Sequence, residues 1–414
     1  MTTAWLIVAD DLTGAADCAI AYAKNNVATS VIWGEGKAAT PAVSINVESR
    51  PLTAEQAAER HHRVLKELLQ SEAGLYKKID STIRGQPAAE IAATMTFLEE
   101  NGRSGFAVMA PAFPAAGRTT ENGSIRVNGA PLEETPIWAR DHSYANANLV
   151  DILGSVGILA KIIPLDTIRQ GANAVSGAIV AARESYGAVI CDAITEADLD
   201  IVAEATLPMI GDIFWIGSGG LASSLARAGN PPTSSIPVPV PQRRGGILVT
   251  VGSLAEASRA AAAQLVASGM IRHAPIHPDA ILSDDKTALD GMVASIVDDL
   301  SAGEDVLVEV ILTISPDLQR GVQLMDRLAE ALEPCAPVTT GLIATGGDTA
   351  IALLNHFGIN GIHLVDEVES GIPLGLTIGD INIPVITKAG AFGSETTLLF
   401  CLERMRHIKQ KGSF

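Results

Sequence analysis

Aromatic residues are scarce. Phe, Trp and Tyr together make 4% of the 414 residues, too few to expect sugar-stacking platforms or sheets that stack bases. Positive charge is scarce as well. Lys and Arg number 29 against 47 Asp and Glu, a formal net charge of −18. Nucleic acid and anionic membranes need a basic surface, so neither is an expected partner. An anionic small molecule stays open if its site carries its own Arg and Lys. Cysteine is limited to Cys18, Cys191, Cys335 and Cys401. They are far apart, lie in apolar or helical context and form no C-x-x-C pair. Reduced, buried thiols and a cytoplasmic location are therefore expected. No run of about 18 apolar residues occurs, so no membrane span is expected. Asp10 and Asp11 interrupt the first apolar stretch early, which excludes a signal-peptide pattern there. The His residues are scattered without an H-E-x-x-H, so no protein-only zinc site is expected.

What the chain has in quantity is glycine, 38 residues, on a background 47% hydrophobic. The length suits two domains. A strand, a Gly-containing turn and a helix recur as one unit. It is seen in WLIVADDLTGAADCAIAYAK, IFWIGSGGLASSLARAG, ILVTVGSLAEASRAAAAQLV, PVITKAGAFGSETTLLFCL and the stretch running on through ATGGDTAIALLNHFG. These units share no fixed period, so a solenoid is not expected. They predict an α/β protein of two domains, each with a largely parallel sheet flanked by helices, and with ligand loops at the strand ends. The Pro-rich segment 230–244 reads as a stiff linker between domains 1–229 and 245–414.

The turn 345–349 organises the second half. Val338 to Ala344 predicts a buried strand, and Ala350, Ile351, Leu353 and Leu354 an apolar helical face. Between them Gly346 and Gly347 let backbone approach a ligand, and the helix start offers unpaired N–H groups suited to phosphate. Asp348 or Thr349 capping the helix is the plain alternative.

The first half supplies charge. Asp10 and Asp11 stand at the carboxyl end of a predicted strand, placed to act as general base or to hold a cation, although one of them could simply cap the next helix. Arg50 is expected at the end of another strand. GLYKKIDSTIRGQPAAEI then gathers Lys77, Lys78, Asp80, Ser81, Thr82 and Arg84 around a third strand end, the best place in the chain for an anionic polyol. Arg118, Thr119, Thr120 and Asn122 add polar groups in what reads as a long loop after the strand Phe106 to Ala110. VESGIPLGLTIGD reads as a turn, and residues 125–150 carry no assignable pattern.

In this order the pieces resemble the four-carbon acid sugar kinases. The segments that carry the resemblance are VADDLTGAAD, KKIDSTIRG, PAFPAAGRTTENG, GSGGLA, the GS of TVGS, TGGDTA, GIPLG and TKAGAFGS. They are colinear and span almost the whole chain. The resemblance implies a sugar-binding N-terminal domain, a nucleotide-binding C-terminal domain, and transfer of phosphate from ATP, with Mg²⁺, to the terminal hydroxyl of an acid such as threonate or erythronate. It places the nucleotide contacts on Ser253, Gly346, Gly347, Asp348, Thr349 and Gly390. It leaves Mg²⁺ to the ATP phosphates, with protein ligands open.

Within that frame Lys78, Arg84 and Arg50 are expected to hold the carboxylate of the acid, with Ser81, Arg118 and Thr119 as further substrate contacts. Asp10, Asp11 or Asp80 takes the hydroxyl proton, and the linker lets the domains close. D-threonate is the leading substrate, ahead of L-threonate and D-erythronate, and a symmetric dimer is the base-rate assembly. Two rivals are an NAD(P)-dependent or other nucleotide-binding enzyme and a non-catalytic sugar-acid sensor. The first lacks a G-x-G-x-x-G followed by a ribose-binding acid. The second has no need of both cationic polyol motifs and phosphate turns.

Overall fold

The computed structural model describes residues 4–141, 144–229, 238–253, 255–311, 321–369, 371–388, 390 and 393–414. The chain forms two compact units, one of residues 1–34 and 38–234, the other of residues 35–37 and 235–414. It is an α/β protein in both.

The strands of the first unit are β1 (Trp5–Ala9), β2 (Thr29–Trp33), β3 (Ala42–Asn46), β4 (Gly74–Lys78), β5 (Ala107–Ala110), β6 (Arg118–Glu121), β7 (Ser124–Val127), β8 (Ala130–Pro131), β9 (Ala160–Ile163), β10 (Ala188–Cys191) and β11 (Phe214–Gly217). Eight of them make one sheet in the order β2-β3-β1-β4-β11-β5-β10-β9, and every pairing in it is parallel. Short apolar runs such as WLIVA become strands buried on both faces, as parallel strands covered by helices must be. Tyr22, Tyr76 and Trp215 pack on one face of the sheet. Leu65, Leu75, Ile91 and Phe97 pack on the other.

Local signals start the helices near the strand ends. Asp11 caps helix Leu12–Lys24 by accepting from Gly14 N. Thr53 and Gln56 form a capping box on Ala54–Leu68. Pro87 opens Pro87–Glu100.

Two local readings of the sequence are corrected here. Arg118–Asn122 is not a loop. Arg118–Glu121 is strand β6, antiparallel to β7. Asn122 and Gly123 both adopt left-handed backbone, φ 52° and 71°, so they form the two-residue turn whose twist matches a hairpin. The VESGIPLGLTIGD segment is likewise mostly strand: it begins with the last two residues of the strand Ile359–Glu369, reverses, and contains the whole of the strand Ile372–Gly379. The unassigned 125–150 region holds β7, β8 and short helices at Trp138–Asp141 and Leu149–Gly154.

The second unit contains β12 (Gly246–Val251), β13 (Arg272–Ile276), β14 (Val306–Val310), β15 (Thr339–Thr345), β16 (Ile359–Glu369), β17 (Ile372–Gly379) and β18 (Pro384–Lys388). Their order is β13-β14-β12-β15-β18-β17-β16. The first five are parallel, and the β16–β17 hairpin adds to β18 antiparallel. Val249, Ile343, Ile386 and Leu402 are in its core.

Of the Pro-rich segment, residues 230–237 lie outside the described residues. The rest lies along the end of the chain, with Val240 N donating to Gly412 O at 2.9 Å. Among the described residues no helix is long and apolar enough to cross a membrane.

Candidate active site

In the first sheet β1 lies between β3 and β4. The chain leaves β1 toward β2 and β3 on one side and returns to β4 on the other. This is the strand-order reversal beyond whose carboxyl ends open α/β sheets bind ligands. Asp10 and Asp11 follow β1, Arg50 follows β3, and Asp80 follows Lys78, the last residue of β4.

Arg50 ties these segments together. Its Nε donates to Asp10 Oδ2 at 2.8 Å and its other nitrogens lie 2.8 Å from Asp11 Oδ2 and 3.7 Å from Asp80 Oδ1. Lys78 Nζ is 3.6 Å from Asp10 Oδ1 and 3.7 Å from Asp11 Oδ1. Lys78 reaches there because residue 14 is glycine: a Cβ on Gly14 would overlap its ammonium. Arg84 grips Asp80 with two bonds, Nε to Oδ2 at 3.0 Å and a terminal nitrogen to Oδ1 at 2.9 Å, and the Thr82 hydroxyl adds a third at 2.5 Å. Three carboxylates thus face three cations. Ser81, partly exposed, lies in the turn after β4, where Ile83 is forced to φ 56°, a strained conformation for a β-branched residue.

The electrostatics separate the three acids. Burial opposes the charge on Asp10, but Lys78, Arg50 and Lys77 outweigh it and hold the carboxyl below its ordinary value. Burial likewise works against Asp80, and the Arg84 hydrogen bonds with Arg50, Arg84 and Lys78 push it well below the carboxylate range. Lys78 is raised despite burial, by Asp10 and Asp11. Asp10 Oδ1 accepts no hydrogen bond, whereas Asp11 spends Oδ1 on Gly14 N at 2.9 Å. Asp11 thus both caps the helix and pairs with Arg50, whereas Asp10 only pairs.

Arg118 and Thr119 are carried by a different element from this cluster. Both are on the β6–β7 hairpin, which docks at the end of β10 where Asp192 accepts from Asn122 N at 2.8 Å and Gly123 N at 2.9 Å. Arg118 donates to Ala116 O, and Thr119 Oγ1 to Glu121 Oε1 at 3.4 Å.

In the second sheet the corresponding reversal lies between β12 and β15. Ser253, Gly346 and Gly390 follow the adjacent strands β12, β15 and β18, and the three turns converge. A Cβ on Gly390 would overlap Ser253 Oγ, and one on Gly346 would stand 3.4 Å from Ser253 Cβ. Gly346, at φ 95°, precedes helix Gly347–His356, which has no side-chain cap. Asp348 is exposed, and Thr349 is buried with its hydroxyl on Met325 Sδ at 3.1 Å. The capping alternative for these two residues is thus not realised, and the helix start is left bare for an anion.

Sequence reasoning missed Lys388. It is 1% exposed, and its Nζ donates to Ser258 Oγ at 2.9 Å and Gly390 O at 3.2 Å. Burial holds it below the usual lysine value, with Cys401 and Glu369 opposing. A lysine ending an apolar run just before A-G was the available signal. Lys77, read from the sequence as part of the polyol site, instead lies behind the acidic cluster with Glu90, His61 and Ser49, a buried group that was missed because Glu90 reads as an ordinary helical residue. Among the described residues no group of three His, Cys, Asp or Glu is placed to hold a metal ion.

Comparison with known proteins finds a family model for each half of the chain. Residues 5–225 match a model of a sugar-binding N-terminal domain and residues 248–398 one of a nucleotide-binding C-terminal domain. A D-threonate kinase of Cupriavidus necator is 41% identical over 97% of this chain and 98% of its own. One of Salmonella typhimurium is 31% identical over 97% and 98%. A crystal structure from Salmonella typhimurium LT2 superposes with a TM-score of 0.82 at 21% identity, covering 97% of this chain and 99% of its own, and shares the fold. The dehydrogenase and sensor readings fall on these matches, because the chain belongs to the four-carbon acid sugar kinase family and is an acid sugar kinase.

Proposed function

We propose that the protein transfers the terminal phosphoryl group of ATP to the 4-hydroxyl of D-threonate. The observation that carries this reading is the cluster of Asp10, Asp11, Asp80, Arg50, Lys78 and Arg84 at one sheet reversal, inside the segment that matches a sugar-binding domain. The nucleotide is assigned to the turns of Ser253, Gly346, Gly347 and Gly390, with Asp348 and Thr349 in the first helical turn beside it. Their fit rests on the uncapped helix start and on space that a Cβ at Gly390 or Gly346 would fill. D-threonate comes from the names of the relatives at 41% and 31% identity.

In the reaction the 4-hydroxyl oxygen bonds to the γ-phosphorus, the bond from that phosphorus to the β–γ bridging oxygen breaks, and ADP leaves. The hydroxyl proton passes to Asp10 Oδ1, the carboxylate oxygen with no hydrogen-bond donor of its own. Asp80 is the poorest base, because five donors from Arg84 and Thr82 already occupy it. A low carboxylate pKa is tolerable here, since the attacking hydroxyl loses its proton late in a loose phosphoryl-transfer transition state. Lys78, Arg50 and the exposed flank of Arg84 attract the carboxylate of the acid, with Ser81, Arg118 and Thr119 as outer contacts. Mg²⁺ would be carried by the ATP phosphates and would neutralise their charge.

The test is ADP release by the purified protein with ATP, Mg²⁺ and a panel of four-carbon aldonates, with the product located by phosphorus–proton NMR. D-threonate is expected to give the highest kcat/KM and a 4-phosphate. No aldonate-dependent ADP release overturns the proposal, and a preference for L-threonate or D-erythronate moves the substrate assignment.

A further inference from the structure

Behind the acidic cluster, on the other face of β4, lies an ionic group that the reaction does not use. Successive strand residues point to opposite faces, so Lys78 faces Asp10 while Lys77 faces helix Pro87–Glu100. Lys77 is 0% exposed and Glu90 1%. Lys77 Nζ is 2.9 Å from Glu90 Oε2 and donates to Lys78 O at 2.8 Å. The other oxygen of Glu90 accepts from Ser49 Oγ at 2.6 Å. Ser49 N in turn donates to Asp10 O at 3.1 Å. One carboxylate–ammonium pair therefore holds the backbone that carries Lys78, the loop that carries Arg50 and the helix that follows Arg84.

Burying such a pair gains little stability over an apolar pair of the same volume, because desolvation offsets the attraction. Its other effect is geometric. The acceptor site has three cations among three carboxylates, and a small shift of Arg50 or Lys78 would change which of them faces the ligand. We propose that Lys77, Glu90 and Ser49 are positioning residues that fix Arg50 and Lys78 against Asp10 and so set the affinity for the anionic acceptor. This rests on the reading of that cluster as the sugar-acid site.

The test compares wild-type protein with Lys77→Met/Glu90→Gln, in which both charges are removed and both shapes kept. KM for D-threonate, KM for ATP, kcat and Tm are measured on each. A KM for the acid raised about tenfold or more is expected, as for loss of one well-placed charged contact, with KM for ATP within about twofold and a folded protein. An unchanged KM for the acid in the folded variant, or equal rises for acid and ATP, overturns the proposal. If the double variant does not fold, Ser49→Ala decides, because it leaves the ion pair and cuts only the tether to the Arg50 loop. A rise of about threefold or more in KM for the acid supports the strut, and a wild-type value overturns it. A wild type inactive on every four-carbon acid overturns the acceptor assignment and the strut with it, whereas an active wild type with unaltered variants overturns the strut alone.

Discussion

The two ligand regions solve one electrostatic problem with different materials. Both sit where strand order reverses among parallel strands, and both are assigned to anions. In the first unit the site is made of side chains: Asp10, Asp11 and Asp80 interleaved with Arg50, Lys78 and Arg84. In the second it is made of backbone: Gly346, Gly390 and a bare helix start, with the Lys388 ammonium turned toward Gly390 O. A small acid offers one carboxylate and a few hydroxyls of defined direction, so its site needs directional groups of both signs. A polyphosphate offers many equivalent oxygens, which N–H groups and close backbone approach suffice to hold. The first kind of site should break when a charge is deleted, and the second when a methyl group is added.

The sharpest break is expected at Asp10. Asp10→Asn keeps the shape and the hydrogen bond from Arg50 but removes the proton acceptor, so kcat should fall about 10² to 10⁴-fold, with KM for ATP little changed and Tm lowered, because Lys78 and Arg50 lose a buried counter-charge. Asp11→Asn, which keeps a good helix cap, should cost less. Near wild-type turnover in both variants would move the base to Asp80, against the five donors that occupy it.

Acid should separate the two units next. Burial, helped by Lys77, lowers His61 from 6.5 to about 4. Between those values the unfolded chain binds more protons than the folded one, so stability rises with pH there and is lost as pH falls from 6.5 toward 4. The loss from His61 is at most about 3 kcal/mol. Asp10, Asp80 and Glu90, all lowered, add to it in the same direction as pH falls further through the carboxylate range. Denaturant melts of His61→Gln should show a flatter slope between these pH values than wild type. An identical slope would show that His61 does not titrate in this window.

For the backbone site the matching change is Gly390→Ala. The new methyl would overlap Ser253 Oγ, so KM for ATP should rise about tenfold or more while KM for the acid stays within about twofold, as expected for displacement of a ligand-contacting turn. Equal rises in both would mean that the substitution unfolds the unit locally rather than spoiling a nucleotide site.

Much of this contrast was legible in the sequence, and the limits have physical causes. Strand ends could be read because buried parallel strands are short apolar runs, and the residues just past them, Asp10, Arg50, Asp80, Ser253 and Gly346, are where the chain turns polar. Pairing among those residues could not be read. That Arg84 closes on Asp80 and Arg50 bridges Asp10 and Asp11 depends on the order β3-β1-β4, which no local pattern encodes. The β6–β7 hairpin was missed although Asn122-Gly123 is a strong hairpin signal, because the flanking residues Arg118–Glu121 are polar and resemble a loop. The pairing of Lys77 with Glu90 was invisible for the opposite reason, since both are charged residues at core positions.

The smallest of these effects concerns Arg84, and it tests how the side-chain site recognises its acid. Sequence alone made Arg84 a grip for the carboxylate of the substrate. In the structure both arms of its fork are on Asp80, and its side chain is 39% exposed. Solvent screens an exposed charge, so its removal should cost less than the loss of a buried partner. Arg84→Ala is expected to raise KM for the acid about tenfold, or ~1.4 kcal/mol, with KM for ATP within about twofold. Arg84→Lys separates the two ways in which it can act. Lys keeps the charge but cannot form two parallel bonds. If Arg84 serves by holding Asp80, and through it Arg50, Lys should fail to rescue. If it serves by long-range attraction of the anion, Lys should restore most of the affinity, and the effect of both variants should shrink as salt is raised. Loss of affinity for ATP on the same scale would place Arg84 in neither role.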